Sequence, residues 1–458
     1  MSLVVYGGEF AGGKVKIPPS KSVAHRALLC AALSRGKCVL SHVELSEDVR
    51  ATIGAVEALG VATSYDEKTG VLAVDASGLC SRNAVIDCGE SGSTLRFLIP
   101  VAAALGARTR FVGRGRLPSR PLGVYGELLP RRGVEFRTQG GLPLEISGRL
   151  QSGVYRLLGN VSSQFITGLL FALPLLPGNS EIALTSPLES EGYVELTLSV
   201  LEEFGVQVQK TSQGWQIPGG QRYQARDYCI EGDWSQAAFF LCMAAISGQS
   251  VEITGLKRDS LQGDKACVDL FQQFGLQSLW ENGSLWARNF RYEMPYRGLN
   301  GFEIDAAQIP DMVPALAVCA SLSQGETRIV NAQRLRLKES DRLASMGEAL
   351  NGLGGKVAVT RDGLWIQGVP QLKGGTVQGK NDHRVVMALA AAALGSEKPV
   401  SVTDAQSIRK SYPGFFEDFK RLGGSGHVFD LGWGYQTVHF WRLAYGGHWG
   451  QSGRAACR

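Results

Sequence analysis

A unit of roughly seventy residues, repeated six times, is the feature that most limits how this chain can fold. Each unit contains a polar loop, a helix rich in alanine and leucine, a glycine-containing turn and a β-branched strand. The loops of successive units carry these equivalent residues: Ser22, Thr94, Ser163, Ser235, Asp311 and His383. The period is longer than that of most solenoid repeats.

A second helix follows the first in each unit and ends in a leucine- or phenylalanine-glycine turn, as in "VEALGV" and "LEEFGV". The first helix is apolar on nearly all sides, so we expect it to be buried. The second helix has a single apolar face, so we expect it on the outside. Strands and helices that alternate in this way predict an α/β protein.

Six such units are too many for one hydrophobic core, so the 458 residues predict two domains of three units each. One domain is expected to span residues 20–230, and the other residues 1–19 together with 231–424. The chain would cross between the domains near residue 20 and again near residue 230. The repeat pattern stops after Gly424, and residues 425–458 are predicted to be an extension of unknown role.

Composition excludes several classes of protein. A net charge of +5 is too small to indicate nucleic-acid binding by itself. No apolar run approaches the roughly 18 residues that would indicate a membrane span, and the first residues do not resemble a secretory signal, which favours a cytoplasmic protein. Nine cysteines without a CxxC pair and six histidines without HExxH favour free thiols and no metal site.

The N-terminal stretch "GGEFAGGKVKIPPSKSVAHR" contains two lysines that could bind an anion. Gly8, Gly13 and Lys14 have nearly the spacing of a P-loop, but Val15 stands where that motif needs a magnesium-binding hydroxyl, and no helix opens there. Lys21 instead follows prolines and begins an apolar helical run. A helix N-terminus favours a bound anion, so Lys21 is the better candidate.

Charged and polar residues occupy the loops that open the repeated helices. They are Lys21, Ser22, Arg26, Arg96, Arg120, Ser162, Ser163, Gln164, Lys338, Arg342, Arg384 and Lys410, with the acids Asp311 and Glu339. Any one of them alone would be interpreted as a helix cap or a solvated charge. Because they recur at equivalent points, we expect them to converge on one interdomain cleft that binds substrates with several negative charges. The two carboxylates are candidates for proton transfer.

Nine motifs occur in a fixed order along the chain: "PPSKSVAHRALLCAAL", "DCGESGSTLRF", "SRPLG", "VSSQFITGLL", "EGDWSQAAFF", "IPDMVPALAV", "RLKESDRL", "NDHRVVMALA" and "IRKSYPGFFEDF". Together they resemble the 5-enolpyruvylshikimate-3-phosphate (EPSP) synthase family over residues 4–424. The resemblance implies a two-domain inverse α/β barrel of six βαβαββ repeats, three per domain, with a double crossover and the active site in the interdomain cleft.

The same resemblance implies an enolpyruvyl (1-carboxyvinyl) transferase. Such an enzyme transfers the enolpyruvyl group of phosphoenolpyruvate (PEP) to the 5-hydroxyl of shikimate 3-phosphate and releases inorganic phosphate. The reaction belongs to the shikimate pathway, which leads to chorismate and the aromatic amino acids. No cofactor or metal is expected, and the partners are the two substrates of a monomeric protein.

Roles follow from the resemblance at matching motif positions. Shikimate 3-phosphate would be bound by Lys21, Ser22, Arg26, Ser162, Ser163, Gln164, Ser190, Tyr193, Asp311 and Lys338. PEP would be bound by Lys21, Gly92, Arg120, Gln164, Arg342, Arg384 and Lys410. Asp311 would handle the proton of the attacking 5-hydroxyl, and Glu339 would protonate the methylene carbon of PEP. Lys21 would assist as the acid for the leaving phosphate.

Four residues depart from the pattern of many or some relatives. Glu90 stands where many relatives have Asn, Arg334 where some have a substrate-contacting Asn, and Thr94 and Phe97 replace smaller or different residues. These residues lead to opposite expectations for sensitivity to the inhibitor glyphosate. Retained Gly92 favours sensitivity, whereas the altered neighbours favour repositioning of the inhibitor.

Two other functions are compatible with the same fold. The sister enolpyruvyl transferase of UDP-N-acetylglucosamine usually carries a reactive cysteine in the loop equivalent to "GRGRLPSRP", which has none here, and it lacks "SKSVAHR". A non-catalytic anion-binding relative would not need both proton-transfer acids, and this chain has both. The sequence therefore favours the EPSP synthase reaction.

Overall fold

The computed structural model describes residues 2–7, 10–81 and 83–430. The described ranges contain twelve α-helices: α1 Lys21–Leu33, α2 Glu47–Ala58, α3 Gly92–Leu105, α4 Gly123–Leu128, α5 Ser163–Ala172, α6 Glu191–Glu203, α7 Trp234–Ser247, α8 Cys267–Phe274, α9 Val313–Ser321, α10 Arg342–Gly352, α11 His383–Leu394 and α12 Phe415–Arg421. None of these helices is long and apolar enough to cross a membrane.

Twenty-four strands lie between the helices in the same ranges. The first twelve are β1 Ser2–Gly7, β2 Gly13–Lys16, β3 Lys37–Ser41, β4 Ala62–Asp66, β5 Val71–Asp75, β6 Ala84–Asp87, β7 Thr109–Val112, β8 Val134–Thr138, β9 Leu144–Gly148, β10 Val154–Leu157, β11 Ser180–Leu184 and β12 Gln209–Thr211. The others are β13 Gly214–Ile217, β14 Tyr228–Cys229, β15 Val251–Thr254, β16 Gln277–Glu281, β17 Ser284–Arg288, β18 Glu303–Asp305, β19 Glu326–Val330, β20 Lys356–Val359, β21 Leu364–Gln367, β22 Gly375–Val377, β23 Val400–Thr403 and β24 Ser425–Asp430.

The strands form six four-stranded sheets with one shared topology, which confirms the predicted α/β fold of six repeats. Their spatial orders are β14-β3-β5-β4, β6-β7-β9-β8, β10-β11-β13-β12, β2-β15-β17-β16, β18-β19-β21-β20 and β22-β23-β1-β24. In each sheet the first pair is parallel and the other two pairs are antiparallel. A parallel pair needs a crossover connection, and in four sheets the buried helix of the unit supplies it. In the other two sheets the parallel partner is distant in sequence: β14 pairs with β3 and β2 pairs with β15, because the chain passes from one half to the other directly after β2 and after β14.

The sixth sheet is completed by both ends of the described chain. β1 pairs antiparallel with β23 on one side and with β24 on the other, with Leu3 opposite Phe429 and Val5 opposite His427. The repeat region therefore continues six residues past the boundary predicted at Gly424, because the N-terminal strand provides an edge on which these residues pair. Residues 431–458, the rest of the predicted extension, lie outside the described residues.

Two chain segments pass side by side where the halves of the molecule meet. The Ser20 amide donates to the Glu231 carbonyl at 2.7 Å, and the Asp233 amide donates to the Pro18 carbonyl at 2.9 Å. One hydrophobic core gathers buried residues from positions 23 to 230, and a second gathers those from 4 to 17 and from 234 to 422. On this basis we propose domain boundaries at residues 19/20 and 230/231.

The first helix of each unit is buried, as predicted, and it begins at the interface between the two halves. In all six units a residue at or just before the start of the buried helix lines one interdomain cavity: Lys21, Gly92, Ser163, Asp233, Asp311 and His383. Five of these helices are capped by a Ser or Asp side chain that accepts a hydrogen bond from a first-turn amide. The remaining free amides and the helix dipoles give this cavity a positive potential.

We expect a chain that ends after Gly424 to be less stable than a chain that ends after Asp430. The shorter chain loses the β24 ladder and leaves β1 as an unpaired edge, and each ladder hydrogen bond contributes about 0.5–1.5 kcal/mol. Thermal unfolding should show a Tm lower by roughly 5 °C in the shorter chain. Equal Tm values would contradict the structural role of β24.

Candidate active site

The cavity between the two halves brings together fifteen of the sixteen predicted site residues. They are Lys21, Ser22, Arg26, Gly92, Arg120, Ser162, Ser163, Gln164, Ser190, Tyr193, Asp311, Lys338, Glu339, Arg342 and Arg384. The sixteenth, Lys410, is not part of the cavity lining. The residues come from both cores, so the site is complete only when the halves are in contact.

Asp311 lies in a one-turn helix, Pro310–Met312, directly before α9. Its Oδ1 accepts from Arg342 at 2.8 Å and from Lys338 at 3.1 Å, and its Oδ2 accepts from Arg384 at 3.2 Å. Burial alone would raise the pKa of this carboxyl, but the three cations hold it well below its usual value. Asp311 is therefore a carboxylate in the ligand-free site.

Glu339 precedes α10 and contacts arginines from both halves. Its Oε2 accepts from Arg342 at 2.7 Å, and its Oε1 lies 3.8 Å from a guanidinium nitrogen of Arg120 across the cleft. Burial would raise the pKa of Glu339, but these two arginines, with His383 and Lys338, hold it well below its usual value. The second candidate acid is therefore also ionised.

Arg342 connects the two carboxylates to a third. Its side chain is 1% exposed, and its Nε donates to Oδ2 of Asp382 at 2.8 Å, in addition to its bonds to Asp311 and Glu339. Asp382 also caps α11. Although burial acts against the charge, the three carboxylates raise the pKa of Arg342, so it stays charged.

Lys21 opens α1 at the crossover and is held by acids from two elements. Its Nζ donates to Oδ2 of Asp48 at 2.9 Å, and its backbone amide donates to Asp233 at 3.2 Å. The ammonium is 15% exposed, so a ligand entering the cavity can reach it.

Arg26 lies one turn further along α1 and is fixed by three hydrogen bonds. It donates to the hydroxyl of Thr197 and to the carbonyls of Ser22 and Tyr193, each at 2.8 Å. All three acceptors are neutral, so its positive charge remains available to an anionic ligand. Burial lowers the pKa of Arg26 to about 10, which still leaves it charged at neutral pH.

Gln164, on α5, is positioned by two residues of α3. Its amide oxygen accepts from Arg96 at 2.7 Å, and its amide nitrogen donates to Ser93 at 3.0 Å. Arg96 in turn lies over the ring of Phe165, with its guanidinium carbon 5.0 Å from the ring centre. The amide orientation follows from this network.

Gly92, at the first position of α3, lies against the guanidinium of Arg120. An ideal Cβ at this position would be 2.8 Å from one guanidinium nitrogen of Arg120 and 3.0 Å from its central carbon. The absent side chain therefore allows Arg120 to lie flat over the start of α3.

Ser190 closes the cavity on the side of α6. It has φ 56°, a left-handed conformation that is costly for a residue with a Cβ. Two contacts across the cleft hold it there: its amide donates to the Ala307 carbonyl at 3.1 Å, and its hydroxyl accepts from Arg334 at 3.1 Å. Arg334 also forms an ion pair with Glu189 and donates to the Ala307 carbonyl at 2.6 Å.

Lys410 instead contacts Glu90, one of the four departing residues. Its Nζ donates to Oε2 of Glu90 at 2.8 Å and to the Asn381 carbonyl at 2.7 Å. The side-chain amide of Asn381 contacts both oxygens of Glu90 at 3.3 Å. Glu90 belongs to one half and its two partners to the other, so this cluster is an ionic contact between the halves.

The other two departing residues have different positions. Phe97 lines the cavity, and the guanidinium carbon of Arg26 lies 5.4 Å from its ring centre. Thr94 is fully buried beneath the cavity, where its hydroxyl contacts those of Ser91 and Thr52 at 2.7 Å each. Thr94 can thus affect a ligand only through the packing of α3.

Arg96 lies in the cavity, as predicted for the loop cations, although no substrate contact was assigned to it. Several other cavity residues were not predicted as site residues: Asp48, Ser93, Asp233, Arg334 and His383. For His383 the equivalent position in a repeat loop is a usable signal. Asp48 looks like an ordinary first-turn acid of α2, and its pairing with Lys21 follows only from the packing of α2 on α1. Among the described residues, no three His, Cys, Asp or Glu side chains are grouped closely enough to hold a metal ion.

Solved structures of enolpyruvyl transferases share this fold. An EPSP synthase from Acinetobacter baumannii superposes with a TM-score of 0.76 at 24% identity, covering 94% of this chain and 100% of that one. The enolpyruvyl transferase NikO from Streptomyces tendae gives a TM-score of 0.72 at 17% identity, covering 93% and 98%. The six repeated units in two halves of this chain thus have the architecture of these solved structures.

Sequence relatives narrow the assignment. The sequence profile of EPSP synthase (3-phosphoshikimate 1-carboxyvinyltransferase) matches residues 5–419. The chain is 44% identical to the 3-phosphoshikimate 1-carboxyvinyltransferase of Clostridioides difficile strain 630, covering 94% of this chain and 99% of that protein. It is 46% identical to the protein of the same name from Clostridium kluyveri, covering 90% and 95%. The chain belongs to the EPSP synthase family.

We expect Arg342→Met to destabilise the protein by about 3 kcal/mol, because it leaves the buried Asp382 and the partly exposed Asp311 and Glu339 without their shared cation. Denaturant unfolding measures the change. Arg110→Met is the matched control: Arg110 is 53% exposed and lies 3.4 Å from Glu145, and exposed pairs contribute under about 1 kcal/mol. Equal losses in the two variants would contradict the stabilising role of Arg342.

Proposed function

We propose that this protein is a 3-phosphoshikimate 1-carboxyvinyltransferase, which transfers the enolpyruvyl group of PEP to the 5-hydroxyl of shikimate 3-phosphate. One observation carries the proposal within this family. The cavity places two carboxylates, Asp311 and Glu339, among cations from both halves. Two substrates that each carry a phosphate and a carboxylate fit such a site, and the two acids are the candidates for proton transfer.

The shikimate 3-phosphate subsite is assigned to the part of the cavity next to α1, α5 and α6. Ser22 and Arg26 would bind its carboxylate region, and the following residues would bind its phosphate: Ser162, Ser163, Ser190 and Lys338. Tyr193 would pack beside the ring. The start of α5 supports the phosphate assignment, since helix N-terminal amides and hydroxyls bind phosphate oxygens.

The PEP subsite is assigned to the region between α1, α3 and α10. Its phosphate would be bound by Lys21, Arg120, Gln164 and Lys410, next to Gly92. Its carboxylate would be bound by Arg342 and Arg384. The flat approach of Arg120 to Gly92 supports this assignment, because a side chain at Gly92 would displace the guanidinium.

Substrate binding would exchange partners within the ion-pair network. In the ligand-free site several cations are neutralised internally, as Lys410 is by Glu90 and Arg342 by Asp311 and Glu339. When substrate anions take over these cations, the carboxylates lose partners that hold their pKa values low. The pKa values of Asp311 and Glu339 then rise, which enables them to hold a transferable proton.

The proposed reaction is an addition followed by an elimination. Glu339 gives a proton to the methylene carbon of PEP, and the adjacent carbon becomes electrophilic. The 5-hydroxyl oxygen bonds to that carbon while Asp311 accepts the hydroxyl proton. Loss of inorganic phosphate, assisted by Lys21 as acid, and return of a methyl proton to Glu339 restore the enol ether. Closure of the halves would exclude water and align the reactants.

Two properties of the whole protein belong to the same proposal. We propose that it acts as a monomer, since both halves of the cavity come from one chain. We place it in the cytoplasm with the small phosphorylated metabolites that it would use.

Phosphate release tests the proposed reaction directly. Purified protein with shikimate 3-phosphate and PEP is expected to release inorganic phosphate in the presence of EDTA, because side-chain cations stabilise the substrate anions. Controls lacking either substrate should release none. Release with UDP-N-acetylglucosamine in place of shikimate 3-phosphate would instead assign the sister reaction. If neither acceptor supports phosphate release, the proposed transferase activity is refuted.

Asp311→Asn and Glu339→Gln are each expected to retain substrate binding and to lose turnover by roughly 10²-fold or more. Each change replaces a carboxyl group that accepts or gives a proton with an amide that cannot, and leaves the shape of the cavity. Calorimetric titration with shikimate 3-phosphate measures binding, and steady-state phosphate release measures kcat. A near-normal kcat in either variant would refute the proton-transfer role of that residue.

A further inference from the structure

The hydroxyl of Tyr193 lies between two carboxyl groups of the other half. Its oxygen is 2.7 Å from Oδ2 of Asp264 and 3.1 Å from Oδ2 of Asp311. A phenol has a single hydrogen to donate. If both carboxyl groups were ionised, one of these oxygen–oxygen contacts would contain no hydrogen. A hydrogen in both contacts therefore requires a proton on one of the two carboxyl groups.

The surroundings assign that proton to Asp264. Asp311 accepts from Lys338, Arg342 and Arg384, and such contacts favour the ionised form. Asp264 is 3% exposed, and its Oδ1 has no hydrogen-bond partner. An unpartnered buried oxygen is far less costly in a neutral acid than in a carboxylate.

The charged groups facing Asp264 raise its pKa, with the exception of one arginine. Burial, together with the charge of Asp311, raises the pKa of Asp264 to about 7, and Asp233 at the start of α7 adds a smaller raising effect. Arg384 on α11 is the exception and opposes the shift. The thiol of Cys267 on α8 is neutral, because burial raises its pKa.

The three groups meet only because the two halves approach closely beside them. Tyr193 begins α6 in one half, and Asp264 lies in the turn Gly263–Ala266 of the other half. An ideal Cβ at Gly192 would lie 2.8 Å from Cα of Gly263. Two facing glycines thus allow the backbones to come near enough for the hydroxyl to reach both acids.

We propose that Asp264 is a positioning residue of the proposed transferase reaction. As the neutral acid it donates to the Tyr193 oxygen, and this commits the single phenolic hydrogen to Asp311. No proton is transferred along these two hydrogen bonds. Asp264 instead sets the orientation of the Tyr193 hydroxyl beside the group that accepts the substrate proton. The inference rests on the proposed function for its kinetic consequence, but not for the protonation state.

Ionisation of Asp264 would reverse this orientation. The phenolic hydrogen would turn toward Asp264, the shorter of the two contacts. Asp311 would then face an oxygen lone pair, and a second negative charge would lie near the anionic acceptor substrate. Both changes lower kcat/KM for shikimate 3-phosphate as the pH rises through about 7.

Asp264→Asn tests the kinetic consequence, since an asparagine amide can donate to the Tyr193 oxygen but cannot ionise. The ratio of variant to wild-type kcat/KM for shikimate 3-phosphate should rise by at least about 5-fold between pH 6 and pH 8.5. Asp269→Asn, at an exposed acid of α8, is the matched control and should show a constant ratio. A constant ratio in Asp264→Asn, or a roughly 30-fold loss at pH 6 in the folded variant, overturns the proposal.

Thermal unfolding of the ligand-free protein tests the protonation state without any turnover. A carboxyl whose pKa is raised in the folded state costs stability as the pH rises from its unfolded pKa of about 4 to its folded pKa of about 7. The Tm of Asp264→Asn relative to wild type should therefore be higher at pH 8 than at pH 5. An unchanged difference overturns the proposal. A changed difference without phosphate release would support a neutral Asp264 and refute only the proposed reaction.

Discussion

Internal neutralisation of the cleft cations is the interaction on which the rest of this structure depends. Arg342 is almost completely buried, and it remains charged because Asp311, Glu339 and Asp382 surround it. Without these counter-charges, electrostatic repulsion between the cations would destabilise the contact between the two halves. The same carboxylates that hold the empty site together are the proposed proton-transfer groups, so stability and chemistry depend on one set of contacts.

The repeated unit explains why so many cations meet in one place. Every unit contains one buried helix that leads into the second strand of its sheet, and all six of these helices begin at the interface between the halves. A residue at the start of the buried helix of any unit therefore lies at the same cavity. Each helix also adds its own N-terminal amides and dipole, which favour bound anions.

Much of the fold and of the site could be predicted from the sequence, because both follow from a repeated local pattern. Lys21, Arg120 and Arg342 each lie in a sequence motif, and the motif alone predicts that the residue lies in the cleft. Contacts between motifs could not be predicted in this way. The pairing of Glu90 with Lys410 joins residues 320 positions apart, and the place of β24 depends on an edge that the N-terminal strand supplies. The role inferred for Asp264 depends on where the two halves meet.

Polar contacts join the halves around the cleft, which links closure to substrate binding. Tyr193 bridges two carboxyl groups, Arg334 holds Ser190 and Glu189, and Lys410 holds Glu90. Substrate anions that bind cations from both halves would add attraction present only in the closed arrangement. A ligand with such differential affinity shifts the population toward closure, and the acids then act in a site from which water is excluded.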